Sequence, residues 1–512
     1  MNVVFISIDS LSKHFLKVYG QPIEIEVKTP NLDRFAEKAL VFDNHYAGSL
    51  PCMPARREFF TGIQEFLWRP WGPVEPFDRP LARAARQAGA TSQLVTDHYH
   101  YFQHGSHGYY EDYNGYEFIR GHESDTWKTT PKRPDGDFLR QLRTSYPDEP
   151  ARYMNRVDYA RNVASFNVED ERDFFPAKVF TTAAEWLAAN VEQDKWMLVV
   201  DSFDVHEPFH CPEPYASMYT GEDPRDPDMV VWPVYGRVDE GRSMLNDRQL
   251  SFVRAQFAGK VTMVDRWLGE VFDTLDRKNL WETTMVIVTT DHGHYLGEHG
   301  WIGKPDAPFY NVLAQTPLLV WHPANPNPGD RTNALTSAVD LYATIIEALD
   351  AEPTPDIHSR SLMPVITSGQ QRHRDWTLYG YWGSSINISD GQYTYFQPCD
   401  RNAPAETFST MMVQMAPWNW FQPPVPHLDA VGDRFLPYTD SPVWRYTLPS
   451  QWRHGNPMLF DVANDPRQER DLAGQDDPSE SRMKSLLIEA LDAMRAPRSQ
   501  YVRLGLALNA ID

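Results

Sequence analysis

Val3-Val4-Phe5-Ile6-Ser7-Ile8 is a nearly continuous β-branched and aromatic run that stops at Asp9-Ser10. A strand with one solvated face alternates apolar and polar residues, so an unbroken run points to a strand covered on both faces, as in an α/β sheet. Working outward, the same grammar recurs. Residues 174–192 carry a helical apolar period and lead into a strand, Trp196 to Phe203, that ends at Asp204-Val205-His206-Glu207-Pro208. Val261, Val264, Leu268, Val271, Phe272 and Leu275 mark one helix face, and the strand Thr284 to Thr290 follows, ending at Asp291-His292-Gly293-His294. A shorter helix is expected to open at Thr29-Pro30-Asn31, with Leu32, Phe35, Ala36, Ala39 and Leu40 on its buried side. In open α/β sheets ligands bind beyond the carboxyl ends of the strands. Buried strands that run straight into carboxylate and imidazole side chains therefore predict one site at their shared end.

The chain has 512 residues, and 48 Lys+Arg against 70 Asp+Glu leave a formal charge of −22. Such a length fits one large domain with an addition, or two to four domains. A hydrophobic fraction of 41% with 13% aromatics supplies a sizeable core, which excludes a disordered or fibrous chain. The acidic excess argues against a nucleic-acid partner, because Lys and Arg contacts to phosphates supply that affinity. Cys52, Cys211 and Cys399 are too far apart in sequence for a C-x-x-C pair, so neither a disulfide framework nor a cysteine metal pair is expected. The N-terminal run lacks a basic leader and is interrupted at Asp9, and the apolar stretches are far shorter than the roughly 20 residues a membrane span needs. A soluble, cytoplasmic protein with no membrane contact is the expectation.

After about residue 370 the texture changes. Tyr379 to Phe396 alternates aromatic and small polar residues around Asp390-Gly391, as a hairpin does, and an amphipathic helix is expected near 480–495. The predicted architecture is α/β. A large mixed, mostly parallel sheet sandwiched by helices forms the main domain over 1–370, and a smaller α+β subdomain with an antiparallel sheet and a helix covers 371–512. The Pro- and Trp-dense stretch 416–453 reads as interdomain packing, with sugar stacking as the alternative. The acidic stretches Glu222 to Asp228 and Asp476 to Glu480 read as solvated loops.

The chemistry is carried by Pro51-Cys52-Met53-Pro54-Ala55-Arg56-Arg57, with Thr61-Gly62 following. A lone cysteine is by default a small buried hydrophobe, but two neighbouring arginines favour an anion beside it. Cys52, Pro54 and Arg56 meet the C-x-P-x-R pattern of the sulfatase family, within the alkaline phosphatase superfamily, which this chain resembles. Further segments match in the same order: Asp9-Ser10, Thr29 to Asp33, Asp291-His292-Gly293, Leu296 to Gly300, Lys304, Leu459-Phe460-Asp461, Asp465-Pro466 and Leu472-Ala473. The resemblance thus spans essentially the whole chain.

What the resemblance implies can be set out residue by residue. Cys52 would be oxidised by a formylglycine-generating enzyme to formylglycine, whose hydrated aldehyde is the nucleophile; its second hydroxyl later expels the transferred group. Asp9, Asp291, His292 and one hydroxyl at position 52 would hold one divalent metal ion, with Ser10 as a further candidate ligand. Arg56 would hold and polarise the modified residue, Lys304 would contact the transferred group, and His206 would protonate the leaving oxygen. The substrate would be a small anionic ester.

Two departures from the family pattern bear on the substrate. Many sulfatases carry two aspartates after the first strand and Asp-Asn after the later one, where this chain has Asp9-Ser10 and Asp291-His292. An imidazole in place of an amide moves the site away from an all-oxygen calcium cage toward manganese, so calcium and manganese both stand as candidates. It also resembles the family's phosphonate monoester and phosphodiester hydrolases, the alternative to a sulfuric ester hydrolase acting on an organic or saccharide sulfate. In Thr96-Asp97-His98-Tyr99-His100, Asp97 takes the position of an arylsulfatase lysine. His98 and His100 are the candidate substrate contacts. His98, His100, His104 and His107 together raise a second metal site as an alternative to a polar substrate-binding loop, and the loop is preferred. A non-catalytic binding protein on the same fold would be expected to have lost Arg56, Lys304 or a ligand, and all are present.

Overall fold

In the computed structural model the run Asn2–Ile8 lies inside an eight-stranded sheet. The structure describes residues 1–20, 24–103, 105–131, 133–143, 154–304, 307–412, 414–416, 420–422, 429–451 and 453–506. In chain order the strands that matter are β1 (Asn2–Ile8), β2 (Leu40–Phe42), β3 (Ser49–Leu50), β4 (Thr91–Thr96), β5 (Gly115–Phe118), β6 (Trp196–Ser202), β7 (Thr284–Thr289), β8 (Leu318–Trp321), β9 (Arg331–Thr332), β10 (Thr377–Tyr381), β11 (Ile386–Ser389), β12 (Tyr393–Gln397) and β13 (Met458–Asp461). The large sheet has the order β9-β2-β8-β7-β1-β6-β4-β5. Strands β7, β1, β6, β4 and β5 are mutually parallel, and β8 runs antiparallel to both β7 and β2. The five parallel strands therefore present their carboxyl ends on one side.

Alternation along β1 explains its unbroken apolar run. Val4, Ile6 and Ile8 join one core cluster with helices α1 (Pro30–Ala36), α3 (Phe175–Asn190) and α4 (Asp247–Arg277), whereas Val3 and Phe5 join another with α2 (Cys52–Thr61) and α5 (Asp340–Ala348). With helices on both faces, each side chain is removed from water, worth about 1.5–3 kcal/mol for a Val, Ile or Phe. Helix α4 begins at a capping box, Asn246 with Gln249, and its Asp265 carboxylate accepts the Asn31 and Leu32 amides (3.0 and 2.7 Å), tying down the first turn of α1.

The helix expected to carry Ala39 and Leu40 is shorter than its period implied. It ends at Ala36, and Leu40-Val41-Phe42 becomes β2, inserted between β8 and β9. A three-residue apolar segment satisfies either periodicity, and pairing on both edges decides for the strand. The later strands end one residue earlier than read, at Ser202 and Thr289.

The smaller sheet has the order β13-β12-β11-β10-β3, antiparallel except where β10 meets β3 in parallel. Strands β11 and β12 form the hairpin expected around Asp390-Gly391. Leu378, Ile388, Tyr395 and Leu459 pack against Met483, Leu487 and Leu491 of α6 (Pro478–Ala493). The edge strand β3 comes from the N-terminal part of the chain and leads directly into α2. Of the Trp-rich stretch, the side chains of Trp418, Trp420 and Trp452 lie outside the described residues, as does His104. In the acidic loop, Asp226 and Asp228 make exposed ion pairs with Arg248 and Arg140. Among the described residues no helix is long and apolar enough to cross a membrane.

Every residue of α2 is buried, Arg56, Arg57 and Glu58 included. Glu58 Oε1 accepts the Ser49 amide (2.6 Å) and hydroxyl (2.5 Å), yet burial pushes its carboxyl up to about 8 from an ordinary 4.5. Between those values the unfolded chain releases a proton that the folded chain keeps, so stability falls as pH rises from 4.5 to 8 and levels off above it. The full loss is on the order of 4 kcal/mol. Glu58→Gln is expected to flatten this slope and to raise the melting temperature at pH 8 relative to wild type, as thermal denaturation between pH 5 and 9 would record. Parallel pH dependence in the two proteins would contradict the assignment.

Candidate active site

Asp9 follows β1, Asp291 and His292 follow β7, and Cys52 is the first residue of α2. All four are buried, and one ligand atom from each lies within 4.8 Å of the others. Among the described residues this is the group of His, Cys, Asp and Glu that could hold a metal ion. His292 Nδ1 is 2.8 Å from the Gly293 carbonyl, to which it donates, leaving the Nε2 lone pair directed at Cys52 Sγ, 3.3 Å away. Burial pushes this imidazole down to about 4, so it is neutral. Asp9 Oδ2 is buried, with the Arg56 guanidinium 3.0 Å away as its ion-pair partner. Two carboxylates and an imidazole presented through a free lone pair fit a divalent cation.

Ser10 turns the chain sharply, at φ +61°. Its amide donates to Asp291 Oδ1 (3.0 Å), its hydroxyl donates to Asp9 Oδ1 (2.7 Å), and Lys304 Nζ donates to the hydroxyl oxygen (3.3 Å). Ser10 thus braces both carboxylates. Lys304 also lies 3.7 Å from Cys52 Sγ. It follows Gly303, whose φ of +96° and approach to the Tyr235 ring leave no room for a Cβ.

Arg56 reaches into this cluster from one turn along α2. Nε and Nη2 donate bidentately to Asp201 (2.8 and 2.9 Å), Nη1 to Asp291 Oδ2 (2.7 Å) and to the Cys52 carbonyl (3.2 Å), and Nη2 lies 3.0 Å from Asp9 Oδ2. Burial works against the Asp9 carboxylate, but Arg56, His98 and Lys304 outweigh it and hold Asp9 well below the usual range. Burial, with Asp9 next, pushes the Cys52 thiol well above its ordinary value.

Sequence reasoning overlooked Asp201. Its neighbours in β6 made it look like part of an apolar run, although it shares the face of Met197 and Val199, the face that α2 covers. A carboxylate on a fully covered strand requires a cationic partner, and that was the available signal. Tyr101, whose hydroxyl donates to Asp201 Oδ2 (2.6 Å), was overlooked with it.

His206 lies beyond β6, stacked on Phe203 with ring centroids 4.3 Å apart. Its Nδ1 is 2.8 Å from the Glu207 carbonyl and 3.5 Å from the Glu207 carboxylate, which also meets His294 Nε2 at 3.0 Å. Burial lowers His206, partly countered by Glu207, while Lys304 and Asp9 also act on it. Beyond β4, His98 Nε2 lies 3.5 Å from Asp9 Oδ2, and neither of its ring nitrogens has a hydrogen-bond partner. Burial, then Arg56, keeps it neutral. His100 meets Gln103 (2.7 Å) and Glu123 (3.4 Å), and His107 is exposed. The described histidines of this loop thus point to separate partners. Asp97, at the lysine's place, turns away from Arg56: Oδ1 accepts the Phe203 amide (2.7 Å) and Oδ2 meets His122 Nδ1 (2.8 Å).

A family model described as Sulfatase matches residues 1–351. The multifunctional alkaline phosphatase superfamily protein PehA of Trinickia caryophylli is 25% identical over 436 residues, covering 73% of this chain and 78% of that protein. An arylsulfatase of Clostridium perfringens is 21% identical over 415 residues, 77% of this chain and 83% of its own. Among solved structures, the phosphonate monoester hydrolase of Agrobacterium radiobacter shares the fold at a TM-score of 0.64 and 20% identity, over 97% of this chain and 95% of that one. With the family model covering more than half of its residues, the chain belongs to the sulfatase family of the alkaline phosphatase superfamily, hydrolases that act on sulfate esters.

Proposed function

We propose that this sulfatase cleaves a small organic or saccharide sulfate ester, using formylglycine made from Cys52 by a formylglycine-generating enzyme and one divalent cation, calcium or manganese. The observation that carries the reading is the convergence of Asp9, Cys52, Asp291 and His292 within 4.8 Å, with Lys304 3.7 Å from the sulfur. Cys52 Sγ stands in for an oxygen of the modified side chain. A bound cation and a hydrated aldehyde would supply Lewis-acid charge and an oxygen nucleophile.

The chain's own residues supply the rest. Arg56 keeps its charge at any working pH, and its donation to the Cys52 carbonyl fixes the first turn of α2 around the nucleophile. Lys304 Nζ is a point charge for the equatorial oxygens on which negative charge gathers in sulfuryl or phosphoryl transfer. His206 Nδ1 is committed to the Glu207 carbonyl, so proton transfer to the leaving oxygen would run through Nε2, from the imidazolium form that the Glu207 carboxylate favours against burial. Ser10 holds Asp9 and Asp291 in register rather than ligating directly. His98 backs Asp9, and His100 with Glu123 forms the polar wall where the ester's organic part would contact the protein. A formal net charge of −22 favours small esters over long polyanions.

A second reading, phosphonate monoester or phosphodiester hydrolysis at the same site, is favoured by the His292 imidazole in the donor set. Esters of one phenol with sulfate, phenylphosphonate and a phosphate diester separate the two. The sulfate is expected to give the highest kcat/KM; a sulfate value orders of magnitude below the others would hand the site to the second reading.

Peptide mass analysis of active enzyme is expected to find formylglycine at position 52, and Cys52→Ser to lose at least about a thousandfold in kcat, since serine lacks the second hydroxyl. Full activity with an unmodified thiol would exclude the mechanism. Asp201→Asn keeps the shape of the Arg56 contact but removes its charge. It is expected to lower kcat about 10–100-fold with KM nearly unchanged, and to destabilise by up to about 3–5 kcal/mol, the usual result of breaking a buried pair. Unchanged kcat in a folded variant would remove Asp201 from the catalytic arrangement.

A further inference from the structure

Behind His206 lies a buried chain of four charged groups that has no place among the substrate or metal contacts. His122, which follows β5, is fully buried and stacked on Phe175 with centroids 4.1 Å apart. Its Nδ1 meets Asp97 Oδ2 at 2.8 Å and its Nε2 lies 3.3 Å from Asp204 Oδ1. The same Asp204 oxygen pairs with Lys260 of α4. Two carboxylates and two cations balance, so the chain satisfies its own charge without substrate or metal. The two flanking aspartates outweigh burial and push His122 up to about 9, which makes it an imidazolium between them, with Lys260 as the second positive charge.

Asp97 and Lys260 also grip the segment that carries His206, and Asp204, which His122 pairs with, belongs to it. Asp97 Oδ1 accepts the Phe203 amide (2.7 Å), and Phe203 is the ring on which His206 stacks. Asp204 is two residues before His206. Lys260 Nζ donates to the carbonyls of His206 (2.9 Å) and Pro208 (2.8 Å), clamping the loop on both sides of Glu207. The loop is thereby tied to β4, β5 and α4 at once, and through them to the sheet that holds Asp9.

We propose that Asp97, His122, Asp204 and Lys260 are positioning residues that fix the 203–208 segment so that His206 meets the leaving oxygen of the ester. The inference rests on His206 as the proton donor in the function proposed above. Protonation matters most when the leaving group is a poor one, and a misplaced acid is therefore exposed by the dependence of rate on leaving-group pKa rather than by rate alone.

The test uses full-length matured enzyme and two parallel series of esters, aryl sulfates and aryl phenylphosphonates, built on the same phenols of graded pKa. Asp97→Asn, His122→Gln, Lys260→Met and Lys260→Arg are compared with wild type and with His206→Ala. In whichever series the wild type cleaves, Lys260→Met and His122→Gln are expected to lose about 10–100-fold on the least acidic phenol and under threefold on the most acidic, with KM nearly unchanged. Lys260→Arg should recover part of the loss, and adding His122→Gln to His206→Ala should cost little more. Uniform loss across the phenols, or losses that multiply with His206→Ala, would overturn the proposal. Should the harsher variants fail to fold, isosteric Asp97→Asn decides through the same slope: steepening supports the proposal and a parallel line overturns it. Cleavage of phosphonates without sulfates would instead count against the sulfate reading, leaving the slope comparison intact.

Discussion

The guanidinium of Arg56 is the contact on which the site's geometry depends. It meets Asp9 at the end of β1, Asp201 within β6 and Asp291 at the end of β7, so one side chain from α2 fastens the helix bearing Cys52 to three adjacent parallel strands. All four groups are buried, and a full charge there persists only with close partners. One cation among three carboxylates leaves a deficit of two positive charges in a place water does not reach. Lys304 reduces it to one and a divalent cation would turn it into a surplus of one, at separations where each charge pair is worth about 4 kcal/mol at an effective dielectric constant of 20. An acidic protein can thereby receive an anionic ester: the positive charge is concentrated at one strand-end pocket while the surface remains negative.

How much of this is readable from sequence depends on whether the signal is local. The run Val3 to Ile8 and the residues after it can be read directly, because a strand covered on both faces leaves an uninterrupted apolar stretch and its end is marked by the first polar groups. Asp201 obeys no such rule. Its partner Arg56 is 145 positions away, and only the alternation of β6 combined with the placement of α2 makes it a clamp rather than the close of a strand. Leu40 fails for a related reason: it fits the helical period of α1, but pairing of β2 with β8 and β9 is decided by segments about 280 to 290 residues later. Asp97 illustrates a third case, in which a family pattern marks a position without saying which way its side chain faces. The carboxylate at the lysine's place faces His122 and the Phe203 amide, not the ester pocket.

The C-terminal sheet is joined to the site by more than adjacency. Its edge strand β3 ends just before the first turn of α2, and Ser49 in that strand holds Glu58 of the same helix. On the other side Arg57 pairs with Glu65 and Asp78, Arg69 bridges Glu65 to Glu75, and Glu75 accepts hydrogen bonds from Ser409 and Thr410. Buried ionic groups of this kind are costly unless every member is paired, so the network constrains both regions at once. The helix that presents Cys52 is therefore held from three sides: by the large sheet through Arg56, by the small sheet through Glu58, and by residues 409–410 through the Arg57 chain.

The same surroundings bear on which nucleophile suits position 52. Thiolate chemistry calls for an electropositive, partly open environment that lowers the thiol's pKa. Cys52 has the reverse, a fully buried sulfur with Asp9 and Asp291 beside it, and its thiol is pushed well above the ordinary value despite Lys304 and Arg56. Two carboxylates and an imidazole also make a hard-to-borderline donor set, to which an oxygen ligand is better matched than a soft sulfur. Replacing sulfur by oxygen at that point, as in formylglycine, would turn carboxylates that disfavour an anionic sulfur into co-ligands of a cation able to stabilise an anionic oxygen. At residue 52 itself an oxygen would take the place of the sulfur and a second hydroxyl the place of a Cβ hydrogen.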